Sequence, residues 1–390
     1  MSPTDRDHPL ATLRIALFSG NYNYVRDGAN QALNRLVGFL LRQGAAIRVY
    51  SPVVANPAFS ATGDLVNIPS LAIPGRAEYR VPLGLSPRVR RDLAAFAPNV
   101  IHVSSPDPAG HRAVSWARRR GLPILASVHT RFETYPRYYN LAFMEPPLEA
   151  LLRRFYRRCD ALVAPSESMA QVLREQRMNY DIDIWSRGVD RDIFDPAHRS
   201  MEWRQGLGIA DNEVVVGFFS RLVMEKGLDV FSDAIDELNR RGVRHRVLIV
   251  GDGPAREWLE SRLPGAVFTG FQSGSDLARA VASMDVLFFP SITETFGNVT
   301  LEAMASGLPV VVADATGSES LVYDNRSGRL IRPGAIREYA DALQAYIEDP
   351  ALRAAHGSAG EARSRQFSWD RINQVVADTY LRLIRQKARR

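Results

Sequence analysis

Val214-Val215-Val216-Gly217-Phe218-Phe219-Ser220-Arg221-Leu222-Val223-Met224-Glu225-Lys226-Gly227 is the stretch whose reading decides the fold. Its apolar first six residues read as a strand. A short charged loop follows, and a helical pattern resumes near 228–241. The same strand–loop–helix sequence recurs along the whole chain. Such alternation predicts parallel sheets in α/β layers. The loop itself holds an oddity. Of the 49 basic residues only two are lysine, Lys226 and Lys387, and the second sits in the charged C-terminal tail. Where a generic positive charge suffices, this chain uses arginine. A lone interior lysine suggests a site that wants a compact ammonium instead of a planar fork. Chance placement, with Lys226 paired to Glu225 on the surface, is the alternative.

Outward from this stretch, strands are predicted at 13–18, 47–50, 100–103, 124–128 and 161–164. A second set follows at 214–219, 246–250, 285–289 and 309–313. Helices are predicted at 109–120, 147–158, 167–177, 228–241, 254–262, 275–283, 298–306, 336–348 and about 369–387. The first helix starts near Asp27, runs through Ala29, Leu33, Leu36, Val37, Leu40 and Leu41 on one face, and ends at Gly44. Phe194-Asp195-Pro196 splits the alternation into similar halves. The expected fold is two Rossmann-like, doubly wound domains, 1–195 and 196–365, facing across a cleft. A last helix, within 366–390, is expected to pack back on the first domain. In such folds ligands bind at the carboxyl ends of the strands.

Composition narrows the function. At 390 residues with 46% hydrophobic and 24% charged side chains, the chain reads as a soluble globular protein. One cysteine, Cys159, excludes an intrachain disulfide framework and fits a reducing, cytoplasmic compartment. No apolar run approaches the ~20 residues that span a bilayer. Residues 1–200 carry a charge of +8 and the remainder −2. A basic first half points to an anionic partner. Nucleic acid is the least supported, since zinc-finger spacing and RNA-binding aromatic motifs are missing. The predicted helix at 147–158 sets Leu148, Leu151, Leu152 and Phe155 on one face and Arg153, Arg154, Arg157 and Arg158 opposite. That pattern suits an anionic membrane surface or, equally, core packing with a solvated basic back.

Thr293-Glu294-Thr295-Phe296-Gly297-Asn298-Val299-Thr300-Leu301-Glu302 is the richest segment for chemistry. It follows a strand and opens a helix, whose free first-turn N–H groups and dipole favour an anion. Gly297 lets a phosphate approach the backbone. Glu302 is the only charge between Val299 and Val312, and a ribose diol would satisfy its carboxylate; a nearby arginine or solvent would do so too. Glu294 could accept from sugar hydroxyls, or could simply complement the helix dipole. Arg221 and Lys226 together could neutralise a diphosphate leaving group without a metal. Gly251-Asp252-Gly253-Pro254 starts like a dinucleotide fingerprint, but Arg256 stands where the third glycine would be, which argues against a dehydrogenase. Asp181-Ile182-Asp183 resembles a metal-binding pair without evident further ligands, and reads as a strand-edge coincidence. His129 ends a predicted strand, where cleft-mouth histidines sit; a packing role is the alternative. Gly28 lies in a small-residue helix entry, Asp27-Gly28-Ala29.

These blocks, in this order and spacing, resemble the retaining, nucleotide-sugar-dependent glycosyltransferases of the GT-B fold. The large bacterial family concerned includes GDP-mannose-dependent α-mannosyltransferases and sulfoquinovosyltransferases. Its Glu-x7-Glu motif corresponds to Glu294 and Glu302. The resemblance implies that Arg221 and Lys226 hold the donor diphosphate, Glu302 the ribose and Glu294 the donor sugar. It further implies donor contacts from Gly28, Gly251, the backbone of Phe296, Gly297 and Asn298, and Val299. His129 would touch the sugar near the reacting carbon. The leaving diphosphate would take the acceptor proton on the same face, and no catalytic metal or cofactor is expected. GDP-mannose is the first donor suggested, with UDP-glucose, UDP-glucuronate and UDP-sulfoquinovose as alternatives. The acceptor expected is a lipid or lipid-linked molecule, and the place the inner face of the cell membrane. Departures from relatives fall at Asp27-Gly28-Ala29, after Asn21-Tyr22-Asn23-Tyr24, at Ser220, and at Thr316-Gly317. A non-catalytic nucleotide-sugar binding protein or an epimerase would share the architecture. So would a phosphorylase, but it would need a cofactor-binding lysine that is hard to place here.

Overall fold

Apolar runs form the central strands, and the two large sheets are parallel throughout, as sheets covered by helices on their faces require, while β4 and β5 pair antiparallel in a small sheet of their own. The computed structural model describes residues 9–25, 28–73, 76–129, 142–315 and 317–389. Asp27, Thr130-Arg131-Phe132 and Thr316, singled out above, lie outside the described residues.

The chain divides into two units, Met1–Ser186 with Trp369–Arg390, and Arg187–Ser368. The first contains β1 (Arg14–Phe18), α1 (Gly28–Arg42), β2 (Ala46–Ser51), β3 (Asp64–Asn67), a hairpin of β4 (Ser70–Ile73) and β5 (Arg76–Pro82), and α2 (Pro87–Phe96). It continues through β6 (Val100–Val103), α3 (Pro108–Arg118), β7 (Ile124–Ser127), α4 (Glu145–Tyr156), β8 (Ala161–Ala164), α5 (Glu167–Glu175) and β9 (Ile182–Ile184). The second contains α6 (Met201–Gly206), β10 (Val215–Phe219), α7 (Leu228–Arg240), β11 (Arg246–Val250), α8 (Arg256–Arg262), β12 (Val267–Phe268) and α9 (Gly274–Ala282). After it come β13 (Val286–Phe289), α10 (Asn298–Ala305), β14 (Val310–Ala313), β15 (Gly328–Ile331), α11 (Ile336–Glu348) and α12 (Pro350–Ser364). The last helix, α13 (Trp369–Ala388), returns to the first unit.

Strand order is β3-β2-β1-β6-β7-β8-β9 in the first sheet and β12-β11-β10-β13-β14-β15 in the second. Each is doubly wound, with its order reversing beside β1 and beside β10. That is the topology of GT-B glycosyltransferases, two Rossmann-like units in one chain.

The division falls earlier than Phe194-Asp195-Pro196 suggests. Val189 N–H donates to Phe367 O at 3.0 Å, and Val189 and Phe194 are buried in the second unit's core. That apolar burial assigns the 187–196 segment to the second unit, although its proline punctuates the sequence later. In the first unit, α13 is held by Arg382, which donates to both oxygens of Asp181 at 2.6 and 2.8 Å and to Asp183 at 2.7 Å. This is the structural use of the Asp-x-Asp pair.

On α4 the buried face is Leu152, Phe155 and Tyr156. Leu151, expected inside, is half exposed. Three of the four arginines are engaged by the protein. Arg153 donates to Gln176 O and pairs with Glu149, Arg157 donates to Arg177 O, and Arg158 donates to Ser115 Oγ. Among the described residues no helix is long and apolar enough to cross a membrane.

Candidate functional site

The strand order reverses between β10 and β13, and in doubly wound sheets such a reversal is where a ligand crevice forms at the carboxyl ends. The loops that follow these two strands carry Arg221 with Lys226, and Glu294. Gly227 brings them together. It has φ +76°, and a Cβ there would stand 2.9 Å from Pro290 O, so only glycine lets the first loop lie against the end of β13. Lys226 is thereby delivered to Glu294, Nζ to Oε1 at 2.5 Å, with the two side chains only 24% and 17% exposed. The lone interior lysine thus pairs with Glu294 and not with its neighbour Glu225.

Glu294 is further fixed by Ser291, whose hydroxyl donates to Oε1 at 3.1 Å. Thr293 Oγ1 donates to Glu225 O at 3.3 Å, tying the same two loops. Behind Glu294 lies Gly317, where a Cβ would stand 2.8 Å from Glu294 O. Arg221 is exposed and its guanidinium has no partner among the described residues.

α10 starts at this crevice. Its cap, Gly297, has φ +96°, no side chain caps the helix, and its first turn holds no acid. The dipole and the free N–H groups of that turn are therefore uncompensated by the protein. Two buried side-chain oxygens of the same turn, Asn298 Oδ1 and Thr300 Oγ1, also lack a hydrogen-bond partner. Buried polar groups are ordinarily satisfied, so these oxygens stand out on α10, although atoms elsewhere, among them Ser51 Oγ and Arg246 Nε, share the condition. Phe296 is buried and meets Phe367 edge-on at 5.8 Å, which leaves its backbone as the part able to face a ligand. Val299 and Glu302 are half-buried on α10.

Gly251 supports this site from below. It has φ +138°, and a Cβ would stand 1.9 Å from Ser220 O. Leu222 N–H donates to Asp252 O at 2.9 Å. The β11 loop is thus a platform for the Arg221 loop, and this backbone approach explains the glycines at 251 and 253.

Gly28 and His129 belong to the first unit. Gly28 is the first residue of α1, whose entry is held by Asn34 Nδ2 donating to Tyr22 O and Asn30 Nδ2 donating to Val25 O, both at 2.9 Å. Tyr22, Asn23 and Tyr24 are buried. This unusual run is loop packing. His129 follows β7, with Nε2 at 2.8 Å from Ser127 Oγ and its ring edge-on to Trp185 at 5.5 Å. Ser291 and Thr300 escaped the sequence reading. For Thr300 the available signal was a polar residue in the first turn of a largely buried helix.

The sequence matches the model of Glycosyl transferases group 1 over residues 213–349 and that of Glycosyltransferase Family 4 over residues 26–193. A sulfoquinovosyl transferase of Arabidopsis thaliana is 31% identical over 366 residues, which cover 91% of this chain and 71% of that one. A GDP-mannose-dependent alpha-mannosyltransferase of Mycolicibacterium smegmatis is 33% identical over 327 residues, covering 82% of this chain and 84% of that protein. Among solved structures, Anabaena HepE in complex with UDP and glucose superposes with a TM-score of 0.72 at 22% identity, over 94% of this chain and 99% of that one.

Proposed function

We propose that this chain, which belongs to the group 1 and family 4 glycosyltransferases, moves a hexose from a nucleotide sugar to a lipid or lipid-linked acceptor, retaining the α configuration. The observation that carries the proposal is the Lys226–Glu294 pair set beside an uncapped helix N-terminus with an unsatisfied Thr300 hydroxyl. An acidic sugar nucleotide fits every member of that set.

In this reading the diphosphate lies at the start of α10. The free N–H groups there and the Thr300 hydroxyl donate to it, and Gly297 allows the close approach. Arg221, unpaired among the described residues, and Lys226 balance its charge, so no divalent ion or cofactor is called for. Glu302 accepts from the ribose diol, and Glu294 from hydroxyls of the sugar. As the glycosidic bond breaks, negative charge grows on the departing diphosphate, and Lys226 is the group placed to offset it. The acceptor hydroxyl enters on the same face and gives its proton to that leaving group. No protein nucleophile is required.

GDP-mannose is the donor of first choice, on the strength of the mannosyltransferase relatives. The sulfoquinovosyl transferase relative favours a second reading, in which the donor is UDP-sulfoquinovose or another UDP-sugar. For the acceptor side we place α4 at an anionic lipid surface on the cytoplasmic face. The exposed Arg154, with the exposed Phe143, Met144 and Leu151, would meet the lipid there. A thermal-shift panel of GDP- and UDP-hexoses tests the donor, since a ligand of the native state raises apparent stability. Stabilisation by one base series and not the other selects the donor class. No shift with any member rejects the site.

A further inference from the structure

The two flanks of α4 use their arginines differently. Arg153 and Arg157, four residues apart, turn toward the end of α5 and donate to Gln176 O and Arg177 O. Arg154 and Arg158 lie on the flank that meets α3. Arg158 Nη2 donates to Ser115 Oγ at 2.6 Å, and Arg118 Nη1 donates to Arg158 O at 3.2 Å. One turn before Ser115 stands His111, its ring 4.6 Å from that of Phe155. His111, Arg154 and Arg158 thus share one seam between α3 and α4.

The seam carries uncompensated positive charge. Among the described residues neither His111 nor Arg154 has a hydrogen bond or an ion pair. Arg158 uses one of its five N–H donors on Ser115. The neighbouring carboxylates are committed elsewhere. Glu149 pairs with Arg153, Asp160 pairs with Lys387 at 2.9 Å, and Glu145 has a partner of its own. Asp107, the cap of α3, accepts from Ser105 Oγ and from Gly110 N–H. On α3 itself Arg112 lies against Gly84. The charges that act on His111 are therefore Arg158 and Arg154. Burial first, and then these two guanidiniums, hold its imidazole below the usual histidine range. Beside the seam the surface is apolar. Leu151, one turn before Arg154 on the same face, is 50% exposed, and Phe143 and Met144, just ahead of α4, are exposed too. Basic groups set beside exposed apolar ones match an anionic bilayer.

We propose that His111, Arg154 and Arg158 form a headgroup site that holds the phosphate of an anionic phospholipid, while Leu151, Met144 and Phe143 enter the acyl boundary beside it. The guanidiniums supply paired N–H donors to the non-bridging oxygens, and protonated His111 adds a further charged donor. The phosphate brings the negative charge that the seam lacks, so His111 takes up a proton on binding. A group that gains protons in the bound state makes binding tighten as pH falls. The headgroup site presupposes the lipid surface proposed above for α4 and names the groups that recognise it.

Co-sedimentation of the full-length protein with vesicles of phosphatidylcholine plus phosphatidylglycerol, against phosphatidylcholine alone, tests it from about pH 7.5 to 5.5, where histidine titrates. The phosphodiester of phosphatidylglycerol stays ionised throughout. Arg154→Gln removes an exposed, unpaired charge and should lower partition about five-fold. Arg157→Gln removes the same charge from the opposite flank and should lower it less than about two-fold. Binding of the native protein should rise as pH falls, and His111→Gln should remove about three-fold of that rise. Equal losses in the Arg154→Gln and Arg157→Gln proteins, or a pH profile unchanged by His111→Gln, overturn the headgroup site and leave α4 at the membrane. No preference of the native protein for phosphatidylglycerol rejects the lipid surface and the site with it. Thermal stabilisation by inorganic phosphate that is lost in the Arg154→Gln protein, without vesicle binding, assigns the seam to a soluble phosphate and overturns the lipid source. None of these readouts depends on sugar transfer.

Discussion

Replacing Lys226 by methionine keeps the length of the side chain and removes its charge. The ammonium lies 2.5 Å from Glu294 Oε1, with roughly four-fifths of both side chains buried. At an effective dielectric near 20 the Coulomb attraction at this distance is about 6–7 kcal/mol. Desolvation of both ions offsets most of it, leaving a net contribution of about 1–3 kcal/mol. Glu294 keeps its bond from Ser291, so the carboxylate is not fully abandoned. The melting temperature of the second unit should therefore fall, by about 2–4 °C for each kcal/mol in a domain of this size. Turnover should suffer more. Removing a preorganised charge aimed at a developing oxyanion costs about 10²–10³ in kcat. Calorimetry supplies the first figure. Steady-state release of nucleoside diphosphate supplies the second, with the donor selected by thermal shift. The loss should appear in kcat with little change in KM. Lys226→Arg sharpens the test, because a fork can still pair with Glu294 while its charge is spread. It should hold stability and lose turnover about ten-fold. Full turnover in the arginine enzyme, or an equal loss of binding and turnover in the methionine enzyme, would refute a leaving-group role for Lys226.

Thr300→Val keeps the shape of the side chain but deletes the unsatisfied buried hydroxyl. It should stabilise the ligand-free protein by about 1 kcal/mol and weaken nucleoside diphosphate binding several-fold. Calorimetry and titration check both signs, and a destabilised ligand-free variant contradicts the assignment. Gly251→Ala forces a Cβ to within 1.9 Å of Ser220 O at a φ of +138°. The unfolding free energy from urea titration should drop by more than about 3 kcal/mol, and a change below about 1 kcal/mol would show that the platform yields freely. His102 stays neutral down to about pH 3 in the native protein, but its unfolded counterpart gains a proton below about pH 6.5. The unfolded state thus binds more protons across that window, so native stability falls as pH falls, by up to about 1.4 kcal/mol per pH unit from this group. His102→Gln should remove that increment from the stability–pH curve, and an unchanged curve would contradict the burial of a neutral imidazole.

Much of this architecture is legible in the amino-acid order because buried parallel strands are unbroken apolar runs. Val215–Phe219, Val286–Phe289 and Val310–Ala313 sit where their composition places them. Short or half-wet strands are not legible. β9 has three residues, β12 has two, and β3 is partly exposed along its length. α12 escapes for a different reason. It packs mainly through glycine, where a Cβ at Gly357 would stand 2.2 Å from Gly307 O, so Leu352 alone among its larger apolar residues marks its inner face. At the site, the charged residues announce themselves through their loops and spacing. The partner choice of Lys226 depends on the bend at Gly227, a tertiary fact. The buried contact between Tyr380 and His102 joins residues 278 positions apart, which local pattern cannot reveal. The fold's division before Val189 likewise depends on a hydrogen bond to Phe367, far along the chain.

The most direct measurement combines the purified protein with GDP-mannose and a set of UDP-hexoses, in the presence of vesicles of diacylglycerol and anionic phospholipid. Nucleoside diphosphate and lipid-phase sugar are followed together. A glycosyltransferase of the proposed kind converts one of these donors to nucleoside diphosphate and an equal amount of α-linked glycolipid, and Lys226→Met abolishes most of both. Donor binding without release of nucleoside diphosphate, or a β-linked product, would contradict it.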